Sequence, residues 1–505
     1  MEQAEDYQRF VEIMSDQYKR LNGIYRIKDE NGVEVPFRMN WAQEELYSEM
    51  WYQNLILKAR QLGFTTFVCL FMLDVALFNS NIECGIIAHN REDVSKIFAN
   101  KIKFPYDHLP EPLKISIPST SDNRNEIVFS NGSSIRVGTS MRSGTLQYLL
   151  ISEFGKICAK YPEKAKEIVT GTLNTVHQGN FVFIESTAEG KGGYFFDYCE
   201  SAQNNVKAKK HLTQLDHKFH FYPWWRHPAY TISDHDNVVI TSEEKAYFDE
   251  VESKTGYKFT EGQKAWYVKK KETQKDEMKR EFPSTPEEAF EAAIEGAYFK
   301  SEFTNIRKQG RLTRVPVQPN IPVDTWWDLG FGDDMSIWFT QDVGKAVHVV
   351  DFYTNSGEGL AFYKKELDKR EYLYGRHTAP HDIINGEIGT GKTRLKTAAE
   401  MGLRFDIAQR PAQKSDGIQA VRNILPICYF DEERCSKGIS ALENYRKEWD
   451  DVNACWKDKP VHDWTSHPTD AFQTLGLKHK FVELRKQEDK RQAGIYRGPS
   501  GWMGA

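Results

Sequence analysis

Residues Gly386 to Leu395 read GEIGTGKTRL. Gly386, Gly391, Lys392 and Thr393 keep the G-x-x-x-x-G-K-[ST] spacing of a phosphate-binding loop, in which backbone N–H groups cradle phosphate oxygens and the lysine adds charge. That spacing is common by chance, and the chemistry also needs a strand before it, a helix after it and an acidic strand elsewhere. A second stretch has this context without the letters. In NLILKARQLGFTTFVCLFMLDVALF, beginning at Asn54, NLILKA is a short apolar run suited to a buried parallel strand. A turn follows, then a long apolar helix whose N-terminus offers free N–H groups and a positive dipole end to phosphate. Gly63 and Thr65 fall where the last glycine and the hydroxyl belong, with Thr66 next to them. Phe64 stands in the lysine's place. The charge must then come from Lys58 and Arg60, which flank the turn.

Further strand-like runs end in polar residues. LQYLLISEF ends in Ser152 and Glu153, and an acid there can orient and deprotonate an attacking water. ECGIIAHNRED and NFVFIESTAEG end likewise, the latter in Ser186 and Thr187. Parallel strands with polar C-terminal ends line a ligand crevice on an α/β sheet. Gln43, in MNWAQEELY, precedes the first of them and has an amide able to read adenine. In the second half three carboxylates stand far apart: Asp328 in DTWWDLGFG, Asp382 in HTAPHDI and Asp470 in SHPTDAFQTLG. Asp334, in the turn after Asp328, is a fourth candidate. Converging carboxylates suit hard cations, and two Mg²⁺ or Mn²⁺ ions about 4 Å apart can clamp both oxygens of a phosphodiester exchange.

The elements that must hold these residues are readable along the chain. From Asp324, three strand-like runs with short turns imply antiparallel hairpins; a helix and a fourth strand ending in Asp382 follow. That is the order of an RNase H-like fold, with acids on the first strand, after the fourth strand and on a late helix. The expected class is therefore α/β, an N-terminal P-loop ATPase with a mostly parallel sheet and a C-terminal RNase H-like nuclease domain. The expected boundaries are 1–35 for an N-terminal extension, 36–225 for the ATPase core and 226–310 for a helical linker. The nuclease then covers 311–485 and a polar, Gly-rich tail 486–505. Trp224 and Trp225 read as structural anchors, and Ser284 or Thr285 before PEEAF as a helix cap. GEIGTGKTRL lies inside the nuclease block with no acidic strand after it. Its match is read as coincidence, and Lys392 and Arg394 as basic loop residues for a DNA backbone. With 505 residues, 40% hydrophobic, 28% charged and a net charge of −5, the chain does not advertise nucleic-acid binding globally, so any basic groove must be local. Seven scattered cysteines without a C-x-x-C pair exclude a disulfide framework or zinc site. The acidic start is no signal peptide. No apolar run approaches the roughly 20 residues of a membrane span.

The succession WAQEEL, LKARQLGFTTF, LLISEF and ESTAEG resembles the ATPase domain of the large terminase subunit of tailed bacteriophages, and the resemblance extends over about residues 36 to 480. It implies a deviant phosphate loop with an early lysine, Lys58, and a coupling motif at Ser186 and Thr187, the latter sensing the γ-phosphate. It also implies an arginine finger at Arg142, in GTSMRSGTLQ, acting on a neighbouring subunit. The family's acidic strand normally ends in Asp-Glu; here Ser152 replaces the Asp, which leaves Thr65 as the direct magnesium ligand. Asp328, Asp334, Asp382 and Asp470 match the family's nuclease positions. The resemblance implies an ATP-dependent motor that moves double-stranded viral DNA into a procapsid and cuts it, with ATP and Mg²⁺ (or Mn²⁺) as cofactors. The implied partners are the portal protein, a small terminase subunit and further copies in a ring, expected as a pentamer, with no membrane involved. The implied location is the host cytoplasm and, transiently, the procapsid portal, but not the mature virion. A helicase-like ATPase and nuclease of repair or recombination is the alternative enzyme. A DNA-binding scaffold that no longer hydrolyses ATP, because of Phe64 and Ser152, is the alternative of another class.

Overall fold

The computed structural model describes residues 11–479, apart from 142–143, 291–295, 331–333, 386–392, 451–452 and 454. The chain forms two compact units, Met1–Thr304 with Lys437–Thr469, and Asn305–Ser436 with Asp470–Ala505.

The first unit is built on an eight-stranded sheet. Its strands are β1 (Gln53–Lys58), β2 (Glu83–Ile87), β3 (Ser119–Asp122), β4 (Glu126–Phe129), β5 (Ser134–Gly138), β6 (Leu146–Ser152), β7 (Val176–Ser186) and β8 (His217–Tyr222). Helix α1 (Phe64–Phe78) follows β1, and α2 (Phe154–Lys160) follows β6. The order across the sheet is β8-β1-β7-β6-β2-β5-β4-β3. Pairing is parallel from β8 to β5 and antiparallel only at the β5-β4-β3 edge. Central strands carry continuous apolar runs because both faces are covered. Leu55, Ile56 and Leu57 of β1 and Leu149, Leu150 and Ile151 of β6 are all fully buried. Helix α1 is apolar nearly all round and buried from Phe67 to Leu77, as expected of a helix inside a core. The parallel β1, β7 and β6 therefore end together at one edge, next to the N-terminus of α1.

Trp224 is fully buried. Its ring stacks at 5.3 Å on Trp266 and 5.5 Å on Phe259, and its Nε1 donates to Ser284 Oγ at 2.9 Å. It is an anchor for the turn that Thr285 closes by capping the helix Pro286–Ala289. The Lys437–Thr469 stretch folds with this unit. Arg446, buried, donates from Nε to the Ala159 carbonyl at 2.7 Å and from Nη2 to the Cys158 carbonyl at 3.4 Å, the last turn of α2, and pairs with Asp463 at 2.9 Å. A cation on orphan helix carbonyls satisfies them and complements the negative dipole end. Trp464 covers Gly192 so closely that a Cβ there would sit 2.0 Å from its ring. Replacing Arg446 by Ala should destabilise this unit by about 3–5 kcal/mol, because Asp463 would stay buried without its partner. A denaturant titration of the variant measures this, and a loss below about 1 kcal/mol would mean that the pair is not buried in solution.

The second unit holds a seven-stranded sheet. Its strands are β9 (Leu312–Thr313), β10 (Val323–Asp328), β11 (Met335–Val343), β12 (Ala346–Asn355), β13 (Tyr374–Ala379), β14 (Phe405–Ile407) and β15 (Cys428–Asp431). The order is β9-β15-β12-β11-β10-β13-β14. β10, β11 and β12 form an antiparallel meander; β13 pairs parallel to β10, and β14 parallel to β13. Third, second, first, fourth and fifth strands thus run side by side, the RNase H-like arrangement. Short turns enforce the antiparallel half and the helix Leu360–Asp368 makes the crossover to β13. The core under it gathers Trp327, Ile337, Phe339, Val350, Tyr363 and Leu367. Among the described residues no helix is long and apolar enough to cross a membrane.

Candidate functional site: buried charges at the parallel strand ends

Lys58 closes β1, and although it is only 6% exposed it keeps its charge. Its Nζ lies 3.0 Å from Glu185 Oε2 and 3.5 Å from Glu153 Oε1. Burial works against the ammonium, but the two carboxylates overcome it and raise the Lys58 pKa. Glu153 sits just beyond β6 with a left-handed backbone, φ 56° and ψ 45°. For a residue with a Cβ this conformation is uncommon, and such strain gathers at functional sites. Burial pushes the Glu153 carboxyl up, but Lys58, Lys156 and Arg60 together hold it below the usual carboxylate range, so it is ionised at neutral pH. Gly155 is needed where the ends of β6 and β7 press together: a Cβ there would stand 2.7 Å from the Thr187 carbonyl and 2.8 Å from Ser186 Oγ. Ser186 Oγ accepts from Gly155 N at 3.0 Å. Thr187 Oγ1 is buried without a hydrogen-bond partner.

The turn between β1 and α1 reverses through Gln61, at φ 62°, and Gly63, at φ 75°. Gly63 caps α1 with no side chain across the helix end, so the first-turn N–H groups of Phe64, Thr65 and Thr66 have no capping side chain. Phe64 does not point at the turn. It is buried, with its ring 4.5 Å from Tyr222, which explains an aromatic where a lysine was looked for. Thr65 Oγ1 donates to Glu185 Oε1 at 2.7 Å.

Two expected nucleotide contacts have other partners. Gln43 spends both ends of its amide on the loop: Nε2 donates to the Gly63 carbonyl at 2.9 Å, and Oε1 accepts from Asn40 N at 3.0 Å. It braces the turn, with a second Nε2 hydrogen and a second Oε1 lone pair left over. Arg60 is ion-paired to Glu281, and its backbone N–H donates to the Glu281 carbonyl at 3.0 Å; its charge still acts on Glu153. Arg142 lies outside the described residues. Glu185, fully buried at the centre of the cluster, was not singled out from the sequence.

In the second unit Asp328 ends β10, and Asp382 lies in the turn His381–Ile384 just after the adjacent parallel strand β13. Asp470 lies on helix α3 (Ser466–Lys478), and Thr474, one turn further, reaches the Trp327 carbonyl at 3.4 Å. All three thus belong to one end of the β10–β13 pair. Their side chains do not close on one point: among the described residues no three His, Cys, Asp or Glu side chains converge to hold a metal ion. Asp470 is drawn to Lys414, with Nζ 3.2 Å from each carboxylate oxygen, and to Gln473 at 2.9 Å. Asp382 Oδ1 is buried without a hydrogen-bond partner, the condition a cation would relieve. Asp334 is half-buried immediately before β11. Arg394 opens the helix Arg394–Glu400 and donates to the Leu329 carbonyl at 3.4 Å, beside the end of β10. Lys392 and the rest of 386–392, including most of GEIGTGKT, lie outside the described residues.

No protein-family model matches the chain, and no curated protein does. Several solved structures are similar to it. The Thermus phage P74-26 large terminase ATPase domain aligns at 12% identity over 49% of this chain and 94% of that one, with a TM-score of 0.31. The bacteriophage SPP1 large terminase nuclease domain with bound Mn aligns at 15% identity over 30% of this chain and 85% of that one, TM-score 0.25. Over 87% of its length the chain is similar to the large terminase of the thermophilic bacteriophage D6E in complex with ATP-γ-S, at 12% identity, 98% of that chain and a TM-score of 0.29.

Proposed function

We propose that the chain is a DNA-packaging motor of the large terminase kind, which hydrolyses ATP in its first unit and cuts DNA with a metal-dependent nuclease in its second. One observation carries the reading: Lys58, Glu153, Glu185 and Thr65 meet at the ends of parallel strands, beside an uncapped glycine-led helix N-terminus. Buried charges on this scale are costly to maintain for stability alone, whereas phosphate needs a cation, N–H donors and a base in this arrangement.

In the resting cluster Lys58 is shared between two carboxylates. As ATP arrives, its phosphates compete for the ammonium, while the N–H groups of Phe64, Thr65 and Thr66 take phosphate oxygens. Glu153 then loses Lys58, the first of the three cations that depress its pKa, and its basicity rises when substrate is in place. Its strained backbone directs the carboxylate to the water that attacks the γ-phosphate, whose proton it accepts. Thr187, with a free buried hydroxyl, reports the γ-phosphate to β7. Thr65 would help to hold magnesium, which when bound would supply positive charge against the phosphates. In the second unit Asp382, Asp328 and Asp470 would hold the nuclease ions, which when bound would supply charge to activate water and to steady the leaving oxygen. Asp334 stands at their margin, and Lys392 and Arg394 meet the DNA backbone. The motor works as a ring of copies, with Arg142 reaching a neighbour's ATP. Its partners are double-stranded viral DNA, a portal protein and a small terminase subunit, in the host cytoplasm and on the procapsid.

Lys58→Ala should abolish ATP turnover, because Phe64 supplies no charge in its place; Lys392→Ala should leave turnover intact and weaken DNA cleavage. Phosphate-release kinetics of the two purified variants test this. The reverse pattern would move the nucleotide site to GEIGTGKT and overturn the assignment.

A further inference from the structure

Strand β6 ends in Ser152, at the position where P-loop ATPases place the aspartate that helps hold magnesium. A serine has no charge to offer an ion. The sheet puts one directly opposite: Ser152 and Glu185 are register partners in the parallel β6–β7 pair. Glu185 is fully buried, amid the apolar Phe183 and Ile184 of the same strand. Its Oε1 accepts two hydrogen bonds, from Ser152 Oγ at 2.7 Å and from Thr65 Oγ1 at 2.7 Å. Its Oε2 faces Lys58 Nζ at 3.0 Å. A carboxylate serving only to neutralise Lys58 would need Oε2 alone. Glu185 instead presents its second oxygen to the phosphate-loop hydroxyl, and Ser152 fixes that oxygen in place. A threonine hydroxyl and a carboxylate oxygen in contact are the hard-oxygen pair that suits Mg²⁺.

We infer that Glu185 is the carboxylate that holds the nucleotide's magnesium: the acid has moved one strand across the sheet, from β6 to β7, and Ser152 is its positioning residue. The inference rests on the ATPase reading above. It also gives the exchange a local logic. Lys58 occupies Glu185 in the resting cluster, and its departure to the phosphates leaves Glu185 with an uncompensated charge at the moment a cation arrives with ATP.

The test is Mn²⁺ binding to the full chain in the presence of ADP, followed by electron paramagnetic resonance, with ADP binding in EDTA measured in parallel. Glu185→Gln keeps the shape and removes the charge. It should retain metal-free ADP binding and weaken Mn²⁺ by at least about tenfold. Adding Ser152→Asp to that variant returns a carboxylate to β6, where the amide introduced at position 185 can donate to it, and should recover most of the lost affinity. Glu185→Asp keeps a counter-ion for Lys58 but withdraws the oxygen from Thr65, and should also lose Mn²⁺ affinity. It stands in if the Glu185→Gln variant fails to fold. Undiminished Mn²⁺ affinity in either single variant, or a defect confined to metal-free ADP binding, overturns the inference and leaves Glu185 a counter-ion. A wild-type chain that binds no ADP at all overturns the ATPase reading together with this one.

Discussion

Glu153→Gln should bind ATP normally and hydrolyse it at least about a hundredfold more slowly. The amide has the carboxylate's shape and can occupy the same left-handed position, so the loop and Lys58 should remain in place. What is lost is the proton acceptor. The change also removes one of the two anions around Lys58, leaving the ammonium freer for phosphate, and binding should therefore be equal or tighter. That combination, tighter binding with little turnover, separates a base from a structural residue, whose loss would weaken both. Equilibrium binding of a fluorescent ATP analogue and single-turnover hydrolysis measure the two quantities. Hydrolysis within a few-fold of wild type would place the attacking water elsewhere.

Replacing Asp382, Asp328 or Asp470 by Ala should each stop DNA cutting while leaving ATP turnover largely intact. Removing one carboxylate weakens the coordination of at least one ion, and a two-ion clamp needs both. Asp382→Ala should have the largest effect, since its buried Oδ1 has no hydrogen-bond partner to lose. Asp470 has first to leave Lys414, so Lys414→Ala should sharpen the metal response instead of abolishing it. Asp334→Ala should do less, as a turn residue at the margin. Plasmid digestion by the full chain, with Mg²⁺ or Mn²⁺ and with chelator, reads all of these. Cutting should stop in chelator and show little sequence preference, because phosphate contacts carry no base information. Metal-independent cutting, or full activity in the Asp382 variant, would remove the nuclease from the proposed function.

The cluster proposed to take the nucleotide was legible where polar residues sit at strand ends. Lys58 and Glu153 could each be placed at the C-terminal end of an apolar run, with Gly63 and Thr65 in the turn and helix start after the first, and the parallel sheet then brings those ends together. Glu185 was missed because an acid near the end of NFVFIES reads as the polar close of a strand. The signal was there in a different form: Ser152 left one strand short of an acid while the next carried one more than a buried strand tolerates, and only the β6–β7 register shows that the two are neighbours. Gln43 and Arg60 show the opposite limit. Their types fit a nucleotide, but a side chain's neighbours depend on geometry that spacing does not contain, and the contacts of Gln43 with Asn40 and Gly63 and of Arg60 with Glu281 were not readable. In the second unit, short turns made the antiparallel meander readable and placed Asp328 and Asp382 on neighbouring strands. The salt bridge of Asp470 was not readable, because Lys414 is 56 positions away.

The backbone passes between the two units three times, after Thr304, Ser436 and Thr469. No single cleavage can therefore release either unit. A protease nicking near 304 would give fragments 1–304 and 305–505, held together because 437–469 of the second folds with the first, and they would part only after denaturation of the nicked product. A contiguous gene fragment starting near residue 305 would carry Arg446 and Trp464 without Ala159, Cys158 and Gly192, their partners in the folded chain. Such a fragment would present a buried arginine and a tryptophan to water and should tend to aggregate. Excising 437–469 and bridging Ser436 to Asp470 with a short flexible linker is the design that respects how the chain is threaded.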